Sequence, residues 1–352
     1  MLQAAFTHKT FHFIQPAGTS RGVLNSRESW FIWIWHNDSP EIKGVGECGP
    51  LPGLSIDEPA AIQSELGDLC AEINNYHRWL AHRSNLFPSI RFGLETALND
   101  IEKGGTRVFQ QNDFTSGITG IPINGLIWMG SPDFMKLQIK DKISAGFRCI
   151  KIKVGAIDFK KELELIQYIR NEYEQHDIEI RVDANGAFSP SDAPEKLKEL
   201  ARYRVHSIEQ PIKKGQTKAM AALCANSPIA VALDEELIGI ETTGEQKKLL
   251  STIKPHFLVL KPGLLGGFAS TTQWAEMADK LGIKWWVTSA LESNIGLNAI
   301  AQWTFRNAGS MHQGLGTGQL FTNNVSSPLV NEGEKLYYNP ELTWNLEDIS
   351  HG

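Results

Sequence analysis

Acids and lysines recur along this chain at intervals that one kind of fold would bring together. Lys151 and Lys153 stand one residue apart in "CIKIKVG", while Asp183 closes "IEIRVD", Glu209 closes "VHSIE", Asp234 closes "IAVALD" and Lys261 closes "HFLVLK". Three carboxylates held at one place repel one another and are poorly solvated unless a cation joins them, and an all-oxygen donor set suits Mg²⁺ best. A lysine beside such a cation can act as a base. Its ordinary pKa of roughly 10.4 keeps it protonated at neutral pH. A second ammonium about 6.6 Å away along the strand, together with a metal ion, would lower the pKa of Lys153. Metal and base together specify removal of the proton beside a carboxylate, with the enediolate held by the cation.

Taken singly, each acid could cap the helix after its own strand, and a K-x-K pair suits a solvated edge strand. The spacing argues otherwise. Lys153, Asp183, Glu209, Asp234 and Lys261 follow one another at intervals of 25 to 30 residues, which suits one strand plus one crossover helix per step. From about residue 120 short apolar runs alternate with helix-like segments such as "FKKELELIQYIRNEYEQ" and "PEKLKELARYR". Eight candidate strands emerge: "IPINGLIWMG", "FRCIKIKVG", "IEIRVDANG", "VHSIEQP", "IAVALDEEL", "HFLVLKPG", "KWWVTSALES" and, more weakly, "HQGLGTGQ". Period-two alternation puts Ile150, Ile152 and Val154 on one face and both lysines on the other; Ile178, Ile180 and Val182 likewise oppose Arg181, Asp183 and Asn185. In a (β/α)8-type barrel the apolar face meets the helices and the polar face points inward at the C-terminal mouth.

The first hundred or so residues have a different character. Strand-like pieces ("FTHKTFHFI", "SWFIWIWH", "KGVGECG") precede two helix-like ones ("IDEPAAIQSELGDLCAEINNY", "IRFGLETALNDIEKG"), an order typical of a separate α+β domain. Two glycine-rich joints, "QPAGTSRG" and "GECGPLPGLS", read either as plain turns or as loops over a site.

Composition sets bounds on partners and compartment. With 34 Lys+Arg against 40 Asp+Glu the net charge is -6 and no block of like charge appears, which argues against nucleic acid or a membrane surface as partner. The opening "MLQAAFTHKTFHF" has no signal-peptide core, and "WFIWIW" is too short to span a bilayer. Cys48, Cys70, Cys149 and Cys224 are widely separated and suggest neither a zinc knuckle nor a disulfide framework. A cytoplasmic protein with reduced thiols is expected, and its oligomeric state is left open.

The set "KIKVG", "RVDANGAF", "SIEQP", "ALDEEL", "LVLKPG" and "SALESNIG" resembles the enolase superfamily, muconate-lactonizing subgroup, across nearly the whole chain. The resemblance implies a modified TIM barrel of the (β/α)7β kind with an α+β capping domain. The cap would span 1–118 with part of the tail at about 322–352, and the barrel 119–321. It further implies Mg²⁺, with Mn²⁺ as the alternative, on Asp183, Glu209 and Asp234, and catalytic roles for Lys153 and Lys261, with Lys151 tuning its neighbour and contacting a substrate carboxylate. The stretch "GLGTGQLFTNN", which contains Thr317, makes the chain most similar to the o-succinylbenzoate synthase family, dehydrating lyases of menaquinone biosynthesis that act on a small carboxylate. In that family the lysine matching Lys153 removes the proton and helps hydroxide leave from the same side, and the one matching Lys261 stays protonated. Racemases of N-acylamino acids and dipeptide epimerases of the same superfamily are the alternative. A barrel that only binds a ligand would have no need of both lysines.

Subgroup members often read D-E-S at the fifth strand, where this chain has Asp234, Glu235 and Glu236. Period two would aim both Asp234 and Glu236 at the mouth, with Asp234 preferred as ligand. Asn185 is expected either to support the metal ligands or to sit in a surface turn. Ser289, Glu292, Ser293 and Asn294 of the seventh-strand segment are expected to hold the far end of the substrate, and Thr19, Ser20 and Arg21 to close over the mouth.

Overall fold

The run "SWFIWIWH" forms a strand buried on both sides, which explains its lack of hydrophobic alternation. The computed structural model describes residues 1–19 and 22–351. In it β1 (Leu2–Thr19), β2 (Gly22–His36) and β3 (Ser39–Cys48) make an antiparallel sheet in sequence order. On one face of β2, Trp30, Ile32 and Ile34 pack with Ile62, Leu66 and Leu69 of α1 (Ile62–Ala71) and with Ile90 and Leu94 of α3 (Pro88–Glu102). A short α2 (Tyr76–Ala81) lies between these helices. The other face carries Phe31 and Trp33 into a second cluster with Leu264, Leu291, Ile295 and Phe321, which belong to the second half of the chain. The sheet is thus wedged between its own helices and the barrel.

Small residues let α3 lie directly on β3. A Cβ at Gly46 would come within 1.9 Å of the Gly93 carbonyl oxygen, and one at Gly44 within 2.3 Å of that of Ala97. Backbone meets backbone there, so neither side can yield by turning a side chain.

The second half is built of strand–helix units. Seven parallel strands run in the order β11-β10-β9-β8-β7-β6-β5. They are β5 (Gly125–Ile127), β6 (Cys149–Lys153), β7 (Glu179–Asp183), β8 (Ser207–Glu209), β9 (Ala230–Leu233), β10 (Phe257–Leu260) and β11 (Lys284–Val287). Between and after them run α4 (Pro132–Ser144), α5 (Phe159–Arg170), α6 (Ala193–Ala201), α7 (Thr217–Asn226), α8 (Thr243–Ile253), α9 (Pro262–Leu265), α10 (Gly267–Lys280) and α11 (Asn294–Asn307). Outward residues such as Ile150, Ile152, Ile180, Val182, Val231 and Leu233 join the helices in the main core.

The eighth position is reduced to a glycine-flanked pair. Gln313 bridges Ile123 and Gly314 bridges Thr288, both in parallel sense, which closes the ring between its first and last strands. The Gln313 side chain reinforces the seam by accepting from Val287 N at 2.7 Å. The chain then returns to the cap: Thr322 N donates to the His12 carbonyl, and the Ile349 carbonyl accepts from Trp33 Nε1 at 3.1 Å. Between those points β12 (Leu329–Glu332) and β13 (Lys335–Tyr338) form a hairpin that pairs with β4 (Ile121–Pro122). No helix among the described residues is long and apolar enough to cross a membrane.

Gly46→Ala should destabilise the protein by about 3 kcal/mol, at the upper end of overpacking effects. Urea unfolding followed by circular dichroism checks this, and an unchanged midpoint would contradict the close approach of α3 to β3.

Candidate active site

Strand register delivers the charged side chains to one level. Lys153 pairs with Asp183 and Asp183 with Glu209 across adjacent strands, and all three are the last residues of β6, β7 and β8. Asp234 follows two residues after Ala232, the partner of Glu209, and Lys261 directly follows β10. β10 lies four places round the ring from β6, so Lys261 faces Lys153 across the mouth.

The groups form one connected network. Lys151 Nζ lies 3.0 Å from Asp183 Oδ2 and also contacts Glu209 Oε2. Lys153 Nζ donates to Asp183 Oδ2 at 3.0 Å and to Asn185 Oδ1 at 2.8 Å. Lys261 contacts Asp234 and lies 4.0 Å from Glu209 Oε1. Asn185 is a hub: its backbone N–H donates to Asp183 Oδ1 at 3.0 Å and its side-chain amide to Glu235 Oε1 at 3.2 Å. It therefore supports the acids and is not a surface turn; only 8% of it is exposed.

Burial by itself would lower the pKa of Lys151, but Asp183 and Glu209 outweigh it and hold the ammonium above its ordinary value. Lys261 is held up in the same way, by Asp234, Glu209 and Glu235 against burial. Among the acids, burial would raise Asp183, yet the three lysines keep it well below the usual carboxylate range. Asp234 goes the other way: burial raises it, Lys261 opposes, and the crowding of Glu235, Glu209 and Asp183 raises it further. Burial acts on all four groups, and the neighbours of each decide its direction. Four carboxylates share the space with three lysines, a surplus of acid.

That surplus fits a divalent cation. All the charged acceptors are hard carboxylate oxygens, and Glu209 Oε1 is buried with no hydrogen-bond partner. Asp183, Glu209 and Asp234 are the carboxylates that could hold it. Glu236 is not one of them. The chain leaves strand geometry at Leu233 and enters a 3-10 turn over Glu235–Leu237, so period two no longer applies. Glu236 accepts instead from Gln210 Nε2 at 3.2 Å and from Gly215 N at 3.0 Å, and Glu235 is the second acid facing the network.

A cavity of ≈ 570 Å³ opens over these groups. Lys151, Lys153, Asp183, Asn185 and Lys261 line its floor, and Val23, Leu24, Leu51 and Leu54 of the cap line its roof. Ser289 and Thr317 reach it from the barrel loops. Glu292, Ser293 and Asn294 do not line it. They stand at the N-terminus of α11: Glu292 accepts from Ser289 Oγ, while Ser293 and Asn294 turn toward the cap and the tail, where Ser293 Oγ donates to Glu47 Oε2 at 2.6 Å and Asn294 Nδ2 to the Val325 carbonyl at 2.7 Å. Ser20 and Arg21 lie outside the described residues, and Thr19 ends β1 opposite Gly22. The glycine-rich stretch after β3 supplies lining residues, so it is a roof over the site as well as a turn. Sequence reasoning missed Trp128, Leu126 and the cap leucines, which carry no chemical label. It also missed Gln210, whose Oε1 accepts from Asp234 N at 3.2 Å; its position directly after Glu209 was the available signal.

Known proteins share this architecture. The family model described as "Enolase C-terminal domain-like" matches residues 135–332. The o-succinylbenzoate synthase of Desulfotalea psychrophila is 45% identical over 366 aligned residues, 95% of this chain and 98% of its own. The crystal structure of MenC from the same organism aligns with a TM-score of 0.85 at 41% identity, covering 96% of this chain and 99% of that one. At the level of fold alone, a dipeptide epimerase of Enterococcus faecalis, solved with Mg and the dipeptide L-Leu-L-Tyr, aligns over 99% of both chains with a TM-score of 0.82 at 19% identity. The chain belongs to the enolase superfamily and, within it, to the o-succinylbenzoate synthase family of lyases.

Proposed function

We propose that the chain catalyses the Mg²⁺-dependent syn dehydration of 2-succinyl-6-hydroxy-2,4-cyclohexadiene-1-carboxylate to 2-succinylbenzoate in menaquinone biosynthesis. The observation that carries this reading is the pair Lys153 and Lys261 on the floor of one cavity, with Asp183 between them and Glu209 and Asp234 in contact with the same set of lysines. Enolase-superfamily sites in general combine such a base with Mg²⁺. Asp183, Glu209 and Asp234 would hold the ion, with Mn²⁺ as a substitute, and it would supply positive charge at the substrate carboxylate as the neighbouring proton leaves.

The chain's own residues do the rest. Lys153, as the amine, takes the proton beside the carboxylate; as the resulting ammonium it returns that proton to the hydroxyl departing from the same face, so water leaves and the ring becomes aromatic. Lys261 and Lys151, both held above their ordinary pKa by neighbouring acids, remain cations. Lys261 stabilises negative charge from the opposite face, and Lys151 keeps Asp183 and Glu209 together while meeting the carboxylate. Asn185 fixes Lys153 at 2.8 Å. The leucines of the cap exclude water and strengthen each of these interactions. Ser289 and Thr317 would contact the succinyl arm.

In this reading 119–321 is the catalytic barrel domain, and 1–118 with part of 322–352 is the cap. All four cysteines are free thiols, which supports a cytoplasmic setting. Racemisation of N-acylamino acids is the second reading, because the same two lysines would serve it from opposite faces. No acid in 314–320 is available to grip a dipeptide amine, which disfavours the epimerase.

Lys153→Ala should fold and bind Mg²⁺ by calorimetry yet lose dehydration by about 10³-fold or more. Near-normal turnover would reject Lys153 as the base. Lys261→Ala should lose activity about as severely, and mild kinetics would show the opposite face to be idle.

Removal of the metal with a chelator should abolish turnover and lower the thermal midpoint, with added Mg²⁺ restoring both. In Asp183→Asn, Mg²⁺ should no longer raise the midpoint. A midpoint indifferent to Mg²⁺ in the parent protein would sink the metal assignment.

A further inference from the structure

The side of β2 and β3 that faces the barrel carries, beside its aromatic residues, a buried polar cluster that the proposed chemistry does not use. Arg27 is 1% exposed and Glu47 is fully buried. The Arg27 guanidinium donates at once to the carbonyls of Gly49 and Ala290. Gly49 opens the cap segment whose Leu51 and Leu54 roof the cavity, and Ala290 lies in the barrel segment 288–291 that forms its wall. One side chain therefore ties together two lining segments that are distant in sequence.

Glu47 anchors the start of α11, the helix that directly follows this wall. Its carboxylate accepts from Ser29 Oγ at 2.8 Å, Ser293 N at 3.0 Å, Ser293 Oγ at 2.6 Å and Gly296 N at 3.1 Å. Ser293 is the N-cap of α11, so a carboxylate from the cap sits on the positive end of a barrel helix. Glu292 completes the cluster. Ser289 Oγ, which lines the cavity, donates to Glu292 Oε2. The other oxygen lies where a Cβ on Gly263 would come within 2.8 Å, and Gly263 is two residues past Lys261. The roof segment, the seventh-strand wall and the turn after Lys261 thus meet at one set of side chains.

We infer that Arg27 and Glu47 are positioning residues that set the distance between the cap roof and the seventh-strand wall, and so fix the fit of the substrate's non-reacting arm. This inference rests on the lyase reading for its kinetic consequence, but not for its structural one. Docking that served stability alone would change the folded fraction and leave the affinity of the folded enzyme unaltered. A positioning role changes KM more than kcat, because Lys153 and Lys261 stand on other strands.

The test uses the full-length Mg²⁺ enzyme with Arg27→Met and Glu47→Gln. For both we expect KM for the cyclohexadiene carboxylate to rise about tenfold with kcat within about threefold. In Arg27→Met, amide hydrogen exchange should quicken at 49–54 and 289–293 together while the rest of the barrel is unchanged. Arg27→Lys can reach only one of the two carbonyls and should fall between. Should Arg27→Met fail to fold, Gly49→Ala displaces the guanidinium without removing it, since the new Cβ would lie 2.2 Å from Arg27 Nη2, and the same pattern is expected. An unchanged KM, or faster exchange spread evenly over the chain, would overturn the inference. Absence of turnover in the parent enzyme would instead reject the lyase reading, while the exchange pattern still decides this one.

Discussion

Everything at the mouth of the barrel follows from burying more negative than positive charge in one place. Asp183, Glu209, Asp234 and Glu235 meet Lys151, Lys153 and Lys261, all 8% exposed or less. Such groups survive burial only in mutual contact, because an unpaired buried charge is strongly destabilising. Each lysine therefore has its own share of acid: Lys151 bridges two carboxylates, Lys261 lies against Asp234, and Lys153 divides its donors between Asp183 and the neutral Asn185 oxygen. That unequal division differentiates chemically identical side chains. The two lysines most surrounded by acid, Lys151 and Lys261, are held above their ordinary pKa, while Lys153 shares its carboxylate with Lys151 and turns its other donor to an amide.

The cap makes this arrangement effective. A strand carrying Trp30, Phe31, Ile32, Trp33 and Ile34 in succession has no face for water, so it must lie between two apolar layers. One layer is its own helices; the other is the barrel's loops and the returning tail. The same docking brings Leu24, Leu51 and Leu54 over the charged floor and replaces water by hydrocarbon. Charge interactions strengthen as the surrounding dielectric falls, so an apolar roof amplifies a polar floor. Domain packing and site electrostatics are in this sense one interaction viewed from its two sides.

What was legible in the sequence was whatever strand periodicity and unit length control. Lys151, Lys153, Asp183 and Glu209 lie on strands, where alternation fixes the face and the recurring strand–helix unit fixes the level, and all four stand where those rules put them. The rules failed where strands end. Glu236 lies beyond Leu233 in a 3-10 turn, so alternation carried past the strand aimed it wrongly. Glu292, Ser293 and Asn294 sit at a helix start, where side-chain direction is decided by partners such as Glu47, 246 residues away from Ser293 along the chain. No local pattern encodes such a partner. The eighth strand was faint for a related reason: two bridges made by Gln313 and Gly314 are enough to close the ring, and so short a pairing leaves no hydrophobic alternation to read.

Strain in the backbone marks those same strand ends. Three of the six non-glycine residues with positive φ among the described residues, Asn185 at 45°, Gln210 at 38° and Leu291 at 66°, lie at the mouth, after β7, β8 and β11. A left-handed residue reverses the chain abruptly, which lets a strand deliver its last side chain inward and then leave without crossing the cavity. Asn tolerates this conformation better than most residues, and the others bear it at a cost of order 1–3 kcal/mol each. Buried hydrogen bonds offset that cost at every one of the three. Asn185 N donates to Asp183 at 3.0 Å, the Gln210 side chain donates to the Ile212 carbonyl at 3.0 Å, and Leu291 N donates to Ser289 Oγ at 3.0 Å. At Asn185 the compensating partner belongs to the charge network, at Leu291 it lines the cavity, and at Gln210 it is local, although the same side chain also accepts from Asp234 N. At Asn185 and Leu291, then, the contacts that hold the strained backbone are also contacts of the site.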